Sequence, residues 1–212
     1  MSTLDLQEQE QVDALKSWWG ENGKWVIAAV VIALLGFSGV QFWKNYQAQQ
    51  AGDAAKLYAE VMKQAASNDP KRVNDAVAAL VDKFGSSAYA PRAQLLAAQI
   101  NLQAKDASRA MTQLQWVIEH AGEAGLQDTA RLKLASVLLD EKKYDAALAQ
   151  LNAAHPEAFT GLYADLKGDV LSAQGKTEEA RAAYKQALDK IEAKSMYRNL
   201  VQLKLDGLGD SK

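Results

Sequence analysis

A run of nineteen uncharged residues near the start of the chain constrains its fold more than any other feature. The run extends from Trp25 to Trp43 and is bracketed by Lys24 and Lys44. As an α-helix it reaches about 28 Å, which matches the hydrocarbon core of a bilayer. Tryptophan at both ends is typical of the aromatic belts at the two membrane surfaces. The sequence therefore predicts a transmembrane helix over residues 25–43.

Two other structures produce a similar run, and the flanking residues argue against both. A buried helix of a soluble protein seldom continues this long without a polar face. A cleaved signal peptide begins with a short basic segment, whereas residues 1–24 hold five acidic residues and two lysines. We therefore expect a retained anchor. Lysines flank the run on both sides in similar numbers, so charge alone leaves its orientation open.

Small side chains form one stripe along the expected span. Ala29, Ala33, Gly36 and Val40 follow a helical spacing of four, three and four residues. Small residues let a second membrane helix approach closely. This stripe is the predicted contact face for a helix of another protein.

Composition excludes several classes of function. The chain has 24 basic and 26 acidic residues, so a net charge of −2 does not favour a nucleic acid partner. It has no cysteine and only two histidines, His120 and His155, which removes thiolate metal sites, thiol nucleophiles and most histidine-based catalytic triads. We interpret both histidines as residues near helix ends, and we expect no enzymatic activity and no cofactor.

Helical repeats follow the span. The chain is 49% apolar with only 13 glycines and 3 prolines, which favours an all-α fold. Three units each place a small residue twelve positions before an alanine, with a bulky residue four positions after that alanine. They are Ala98, Ala110 and Leu114; Ala135, Ala147 and Leu151; and Gly168, Ala180 and Tyr184. A further small or branched residue follows at Val117, Ala154 and Ala187.

This pattern resembles the tetratricopeptide repeat, in which the small residues let two antiparallel helices pack closely. The resemblance implies a single transmembrane helix followed by an α-solenoid. We divide the chain into an amphipathic segment 1–24 that ends at Gly23 as a helix C-cap, a span 25–43, and a repeat domain 44–212. Turns are expected at 104–106, 141–143 and 173–176.

Less regular segments flank the three units. Residues 48–66 and 71–84 predict a degenerate helix pair, with Tyr58 and Met62 facing its second helix. A last helix places Met196, Leu200, Leu203 and Gly207 on one face, which we expect to cover the end of the stack.

The concave surface of a repeat stack commonly binds another polypeptide. By the resemblance, the groove residues are Leu95, Gln99, Leu102, Leu132, Ser136, Leu139, Asp165 and Asp169. Repeats that bind a C-terminal carboxylate need Lys and Asn at such places, which this chain does not supply. The leucines either contact a partner or are covered by another helix of the same chain, and the sequence leaves both open.

The segment Gln11–Lys24, QVDALKSWWGENGK, is followed by the span and then by degenerate repeats. In these features the chain resembles the YfgM family of ancillary SecYEG translocon subunits. That resemblance implies an inner-membrane protein with a cytoplasmic N-terminus and a periplasmic repeat domain. The implied partners are SecYEG, a PpiD-like periplasmic chaperone and exported polypeptides. One alternative is a cytoplasm-facing adaptor that regulates a soluble signalling factor; another is a membrane-bound hydrolase, for which the chain offers only two separated histidines.

Overall fold

Helices account for most of the residues described by a computed structural model, which are residues 3–67 and 69–209. These residues form no β-strand, which confirms the predicted all-α class. In chain order, the helices are α1 (Thr3–Ala65), α2 (Pro70–Phe84), α3 (Tyr89–Gln103), α4 (Ala107–His120), α5 (Ala124–Asp140), α6 (Tyr144–Leu151), the 3-10 helix η1 (Glu157–Phe159), α7 (Thr160–Ala173), α8 (Thr177–Lys190) and α9 (Met196–Gly207).

The expected span lies within α1. This helix is long and apolar enough to cross a membrane, and no part of its most apolar window is buried within the protein. A core helix of a soluble protein would be covered by its own chain. The exposed apolar surface of α1 therefore fits a helix that lies in lipid.

The predicted helix end at Gly23 is wrong, because α1 continues through it. A glycine inside a helix costs only about 1 kcal/mol, which the strongly helical flanks outweigh. A Cβ added at Gly23 would lie 3.1 Å from the indole Nε1 of Trp19. The absence of a side chain thus makes room for the Trp19 ring one turn earlier and does not cap the helix.

The chain divides into two compact units, one ending at Gly52 and the next beginning at Asp53. Within the second unit, each of the three predicted repeats is a pair of helices in contact: α3 with α4, α5 with α6, and α7 with α8. The small residues and alanines that define the repeats are all buried: Ala98, Ala110, Ala135, Ala147, Gly168 and Ala180. Close backbone approach therefore holds each pair together, as the spacing predicts.

The turns inside the three pairs share one backbone feature. Lys105, Lys142 and Gly175 each follow the small residue of their unit by seven positions and adopt φ angles of 64°, 59° and 77°. The left-handed region strains a residue with a side chain and suits glycine. The third unit therefore has the unstrained form of a turn that the first two make with lysine.

Two details of the predicted packing are wrong. In the degenerate pair Val61 is fully buried, whereas Met62 is 49% exposed. Tyr58 packs against the core shared with α2, as expected, and Val61 takes the buried position expected for Met62. Ala154 is exposed because α6 ends at Leu151, with Asn152 as its C-cap, before the predicted position is reached.

The last helix packs through a different face from the predicted one. Val201 is fully buried, and Tyr197, Leu205 and Leu208 pack beside it against the third unit. Met196, Leu200 and Leu203 are 89%, 46% and 68% exposed. Both sides of α9 are apolar, so its spacing alone did not determine which side faces the stack.

Candidate functional site

Six of the predicted groove residues lie on two neighbouring helices. The leucines on α3 and α5 are half-buried and pack against the same core cluster, while the polar residues between them are exposed. Because α3 contacts α5 directly, the two rows lie on adjacent first helices of consecutive units. We call this set the leucine surface: Leu95, Gln99, Leu102, Leu132, Ser136 and Leu139.

The leucine surface combines two properties that suit polypeptide binding. The partly exposed leucine side chains offer apolar area, and exposed Gln99 and Ser136 offer hydrogen-bonding groups without a formal charge. A surface of this kind binds extended or helical segments with little demand on their charge. The leucines also contribute to the core, so their shape is fixed by packing.

The two predicted aspartates of the third unit lie elsewhere, in contacts with α9. Lys204 Nζ lies 3.0 and 2.9 Å from the two carboxylate oxygens of Asp165 and donates to Asp169 Oδ2 at 2.7 Å. Tyr197 donates its hydroxyl to Asp165, and Tyr184 donates to Asp169 Oδ1 at 2.8 Å. We call these five residues the aspartate–lysine cluster. In the third unit, helix α9 therefore covers the predicted groove position.

Burial and charge in this cluster shift three pKa values upward. Burial is the largest cause for Tyr184, followed by its hydrogen bond to Asp169, and it also leads for Tyr197, followed by the bond to Asp165. Burial alone would lower the pKa of Lys204, but its bonds to Asp169 and Asp165 outweigh that effect and raise it. Lys204 is thus held in its protonated form between Asp165 and Asp169.

A second candidate surface is an open, mainly apolar cavity of about 500 Å³ between α4, α5 and α6. Its apolar lining comes from Met111, Trp116, Leu134 and Leu138, and Gln115 lies at its polar edge. We call it the tryptophan cavity. Sequence reasoning missed it, although one signal was present: Met111 and Trp116 are apolar residues of α4 outside its repeat positions.

The histidines occupy structural positions. His120 is the last residue of α4, its ring stacks on Trp116 at 4.4 Å, and its Nδ1 lies 2.9 Å from the Trp116 carbonyl oxygen. His155 stacks on Tyr163 at 4.0 Å, beyond the end of α6. Within residues 10–67 and 69–209, whose side chains are described, no group of histidine and acidic side chains could hold a metal ion.

The stripe predicted on the span is exposed throughout. Ala29, Ala33, Gly36 and Val40 all lie on the surface of α1, and a Cβ added at Gly36 would meet no atom within 4 Å. The stripe is therefore open to another membrane helix, and its role as a contact face stays a prediction.

Comparisons with known proteins agree with the repeat architecture and point to a family. Residues 16–210 match the sequence profile of a tetratricopeptide repeat-like domain. A solved structure, MamA 41-end from Desulfovibrio magneticus RS-1, has a TM-score of 0.54 over 74% of this chain and 90% of its own. Its identity of 18% shows a shared fold only.

Several relatives carry one name, ancillary SecYEG translocon subunit. The protein from Neisseria gonorrhoeae is 36% identical over 204 residues, which is 96% of this chain and 98% of that protein. The protein from Escherichia coli is 27% identical over 204 residues, 95% of this chain and 96% of that protein. Since both the anchor and the repeats fall inside these matches, the chain belongs to the family of ancillary SecYEG translocon subunits, single-pass membrane proteins with tetratricopeptide-like repeats.

Proposed function

We propose that this protein is a non-enzymatic adaptor that associates with the SecYEG translocon and binds other polypeptides through the leucine surface. Its ligands are exported polypeptides that emerge from the channel and a PpiD-like membrane-anchored chaperone. The repeat domain faces the periplasm, and the transmembrane part of α1 anchors it to the inner membrane. The name shared by relatives along nearly the whole chain supports the translocon association.

The observation that carries the binding proposal is the arrangement of the leucine surface. Adjacent helices α3 and α5 present exposed Gln99 and Ser136 between half-buried leucines. An emerging chain is unfolded and offers apolar side chains together with unpaired backbone groups. The leucines can contact its apolar side chains, and the side chains of Gln99 and Ser136 can hydrogen-bond to its backbone groups.

Anchoring explains how a shallow surface of this kind is sufficient. A binding site tethered beside an exit pore meets the emerging chain at an effective concentration in about the millimolar range. Weak and reversible binding then occupies the site while the chain passes. It also releases the chain for folding without any energy-consuming step.

Topology can be tested first, because the chain has no natural cysteine. A Ser136→Cys variant of the full chain should react with a membrane-impermeant maleimide in cells whose outer membrane alone is permeable. Labelling only after the inner membrane is broken would place the repeats in the cytoplasm. That result would favour the adaptor of a soluble signalling factor over the translocon proposal.

Binding can be tested with photo-crosslinking residues at the exposed positions 99 and 136 of the full chain in native membranes. We expect adducts with exported polypeptides and with the chaperone. A probe at exposed Lys185 on α8 is the matched control, and a probe at Gln115 samples the tryptophan cavity.

The outcomes separate the two surfaces. Adducts at 99 and 136 that exceed those at 185 support the leucine surface. Adducts at 115 alone would move the binding site to the tryptophan cavity. If all four positions give equal, low yields, the polypeptide-binding proposal fails, and translocon association must rest on other parts of the chain.

A further inference from the structure

The exposed side of α9 is apolar, and no helix among the described residues covers it. Val201 follows Gly168 by 33 residues, the same spacing that separates Gly168 from Ala135. Since Val201 is buried like the small residue of each unit, α9 corresponds to the first helix of a fourth repeat. Among the described residues, no helix follows it to complete the pair.

The equivalent positions in the three complete units show what the missing helix would cover. Ala93, Ala130 and Tyr163 correspond to Met196 and are at most 2% exposed. Ile100, Val137 and Val170 correspond to Leu203 and are at most 6% exposed. In α9 the same two positions are 89% and 68% exposed. The face is therefore built like a helix-packing face and stands open.

We propose that α9 of a second copy of this chain covers this face, in an antiparallel pair around a two-fold axis. Met196, Leu200, Leu203 and Gly207 are spaced by four, three and four residues. This spacing reads the same in both directions, so a two-fold axis places Leu200 of each copy opposite Leu203 of the other. It also places Met196 opposite Gly207.

Shape complements itself in this arrangement. Met196 is the most exposed of the large apolar side chains of the described residues, and it is flexible enough to fill an irregular gap. Gly207 has no side chain and its position is open, because a Cβ added there would meet nothing within 4 Å. Each copy thus contributes one protruding side chain and one position without a side chain, and the two meet reciprocally in an isologous interface.

Charges do not oppose the pairing. The flank of α9 beside the open face carries the uncharged Asn199 and Gln202, and Asp206 accepts a hydrogen bond from Gln202 at 2.8 Å. In an antiparallel pair the same flanks meet, so Asp206 approaches Asn199 of the second copy. The two Asp206 carboxylates are about 13 Å apart along the helix axis. Lys204 lies on the other flank and is held by Asp165 and Asp169.

The interface is small, which fits a membrane-anchored protein. Three apolar side chains from each copy bury less than the ~1,200 Å² of a stable soluble complex. Two copies anchored in one membrane meet at a much higher effective concentration than in solution. Two anchored copies therefore pair through α9 outside the bilayer, and the pair separates readily. This inference does not depend on translocon binding.

Single cysteines in the cysteine-free full chain test the register in liposomes that contain no other protein. Met196→Cys and Gly207→Cys copies with different tags are mixed and oxidised. The antiparallel register predicts a mixed disulfide at least about fivefold above either same-residue disulfide, because two copies of one residue lie too far apart to bridge. Gln186→Cys on exposed α8 gives the random-collision level.

Substitutions on the face provide the second measurement. Leu203→Glu should weaken the pair at least about tenfold, because a buried carboxylate would face an apolar partner. Gln186→Glu adds the same charge to the exposed surface of α8, away from the face, and should leave most of the mixed disulfide. Circular dichroism of each variant shows that the helices are intact. Mixed and same-residue products in equal yield, or none above the collision level, would overturn the proposal.

Native membranes provide the last arm. If Met196→Cys there forms a disulfide or a maleimide crosslink with a different protein, and purified copies do not pair in liposomes, the face belongs to a heterologous helix and the second-copy proposal is wrong.

Discussion

The Tyr184 ring packs directly against Gly168, in space that a side chain at residue 168 would occupy. Replacing Gly168 with alanine tests whether the ring requires a glycine there. A Cβ at residue 168 would lie 2.4 Å from Cε1 and 2.5 Å from Cδ1 of the Tyr184 ring. The ring is 3% exposed, and its hydroxyl donates to Asp169 at 2.8 Å. It therefore cannot move aside without losing packing and a hydrogen bond.

The size of the effect follows from three contributions. Overpacking a rigid, buried site costs about 1–3 kcal/mol. A displaced hydroxyl that loses a bond to a carboxylate costs about 1.5 kcal/mol more. Alanine gains about 1 kcal/mol over glycine inside a helix. Gly168→Ala should thus lower the free energy of unfolding by about 1.5–3.5 kcal/mol.

The first two units show which second change should compensate. They place alanine at the equivalent position and leucine opposite, as Ala98 with Leu114 and Ala135 with Leu151. Gly168→Ala combined with Tyr184→Leu reproduces that pair. We expect the double variant to be at least ~1.5 kcal/mol more stable than the sum of the single effects, since the two side chains share one space.

Urea unfolding of the full chain in detergent, followed by circular dichroism at 222 nm, measures these differences. Gly125→Ala in α5 is the control, because its added Cβ would meet nothing within 4 Å, and it should be neutral or slightly stabilising. An unchanged midpoint for Gly168→Ala would show that the ring yields freely. Strictly additive effects in the double variant would refute the matching of sizes.

Three further predictions concern the end of the stack and the turns. Lys204→Met leaves Asp165 without its cation, although the Asp165 side chain is only 3% exposed. It should lower the free energy of unfolding in urea by about 3 kcal/mol, whereas Lys185→Met, on the exposed surface of α8, should lower it little. The raised pKa values of Lys204, Tyr184 and Tyr197 mean that the fold favours their protonated forms. Between about pH 7 and pH 10 these three groups should therefore leave the urea midpoint constant, and above about pH 10 it should fall, as the unfolded chain loses these protons first; a midpoint that rises above about pH 10 would contradict the cluster. Lys142→Gly should stabilise the second unit by about 1 kcal/mol, because its φ of 59° strains a side chain, and a loss of stability on urea unfolding would show that the lysine makes a compensating contact.

The repeats could be predicted from the sequence because their signal is short in range. A small residue, an alanine and a bulky residue within one unit determine how closely two consecutive helices approach, and no distant contact alters that requirement. Ala98, Ala110 and Leu114 are accordingly buried together. The span was equally readable, since nineteen uncharged residues at 25–43 have few other structures available.

The candidate surfaces were only partly predictable. Leu95 and Leu132 lie on α3 and α5 as expected, because position within a unit determines position on a first helix. The tryptophan cavity depends on how α4, α5 and α6 from two units meet. No single unit encodes the distance between units, so Met111 and Trp116 mark apolar positions outside the repeat pattern but do not show that a cavity forms there.

The end of the stack depends on a polar contact that hydrophobic periodicity cannot reveal. Either apolar side of α9 could have faced the third unit, and burial energy alone gives little preference between them. Lys204 and Tyr197 lie beside Val201, and both reach Asp165. A carboxylate this buried requires these partners, so the charged contact selects the rotation of α9. The same rotation turns Met196 and Leu203 outward, and the open apolar face is thus a consequence of the ion pair that fastens the helix.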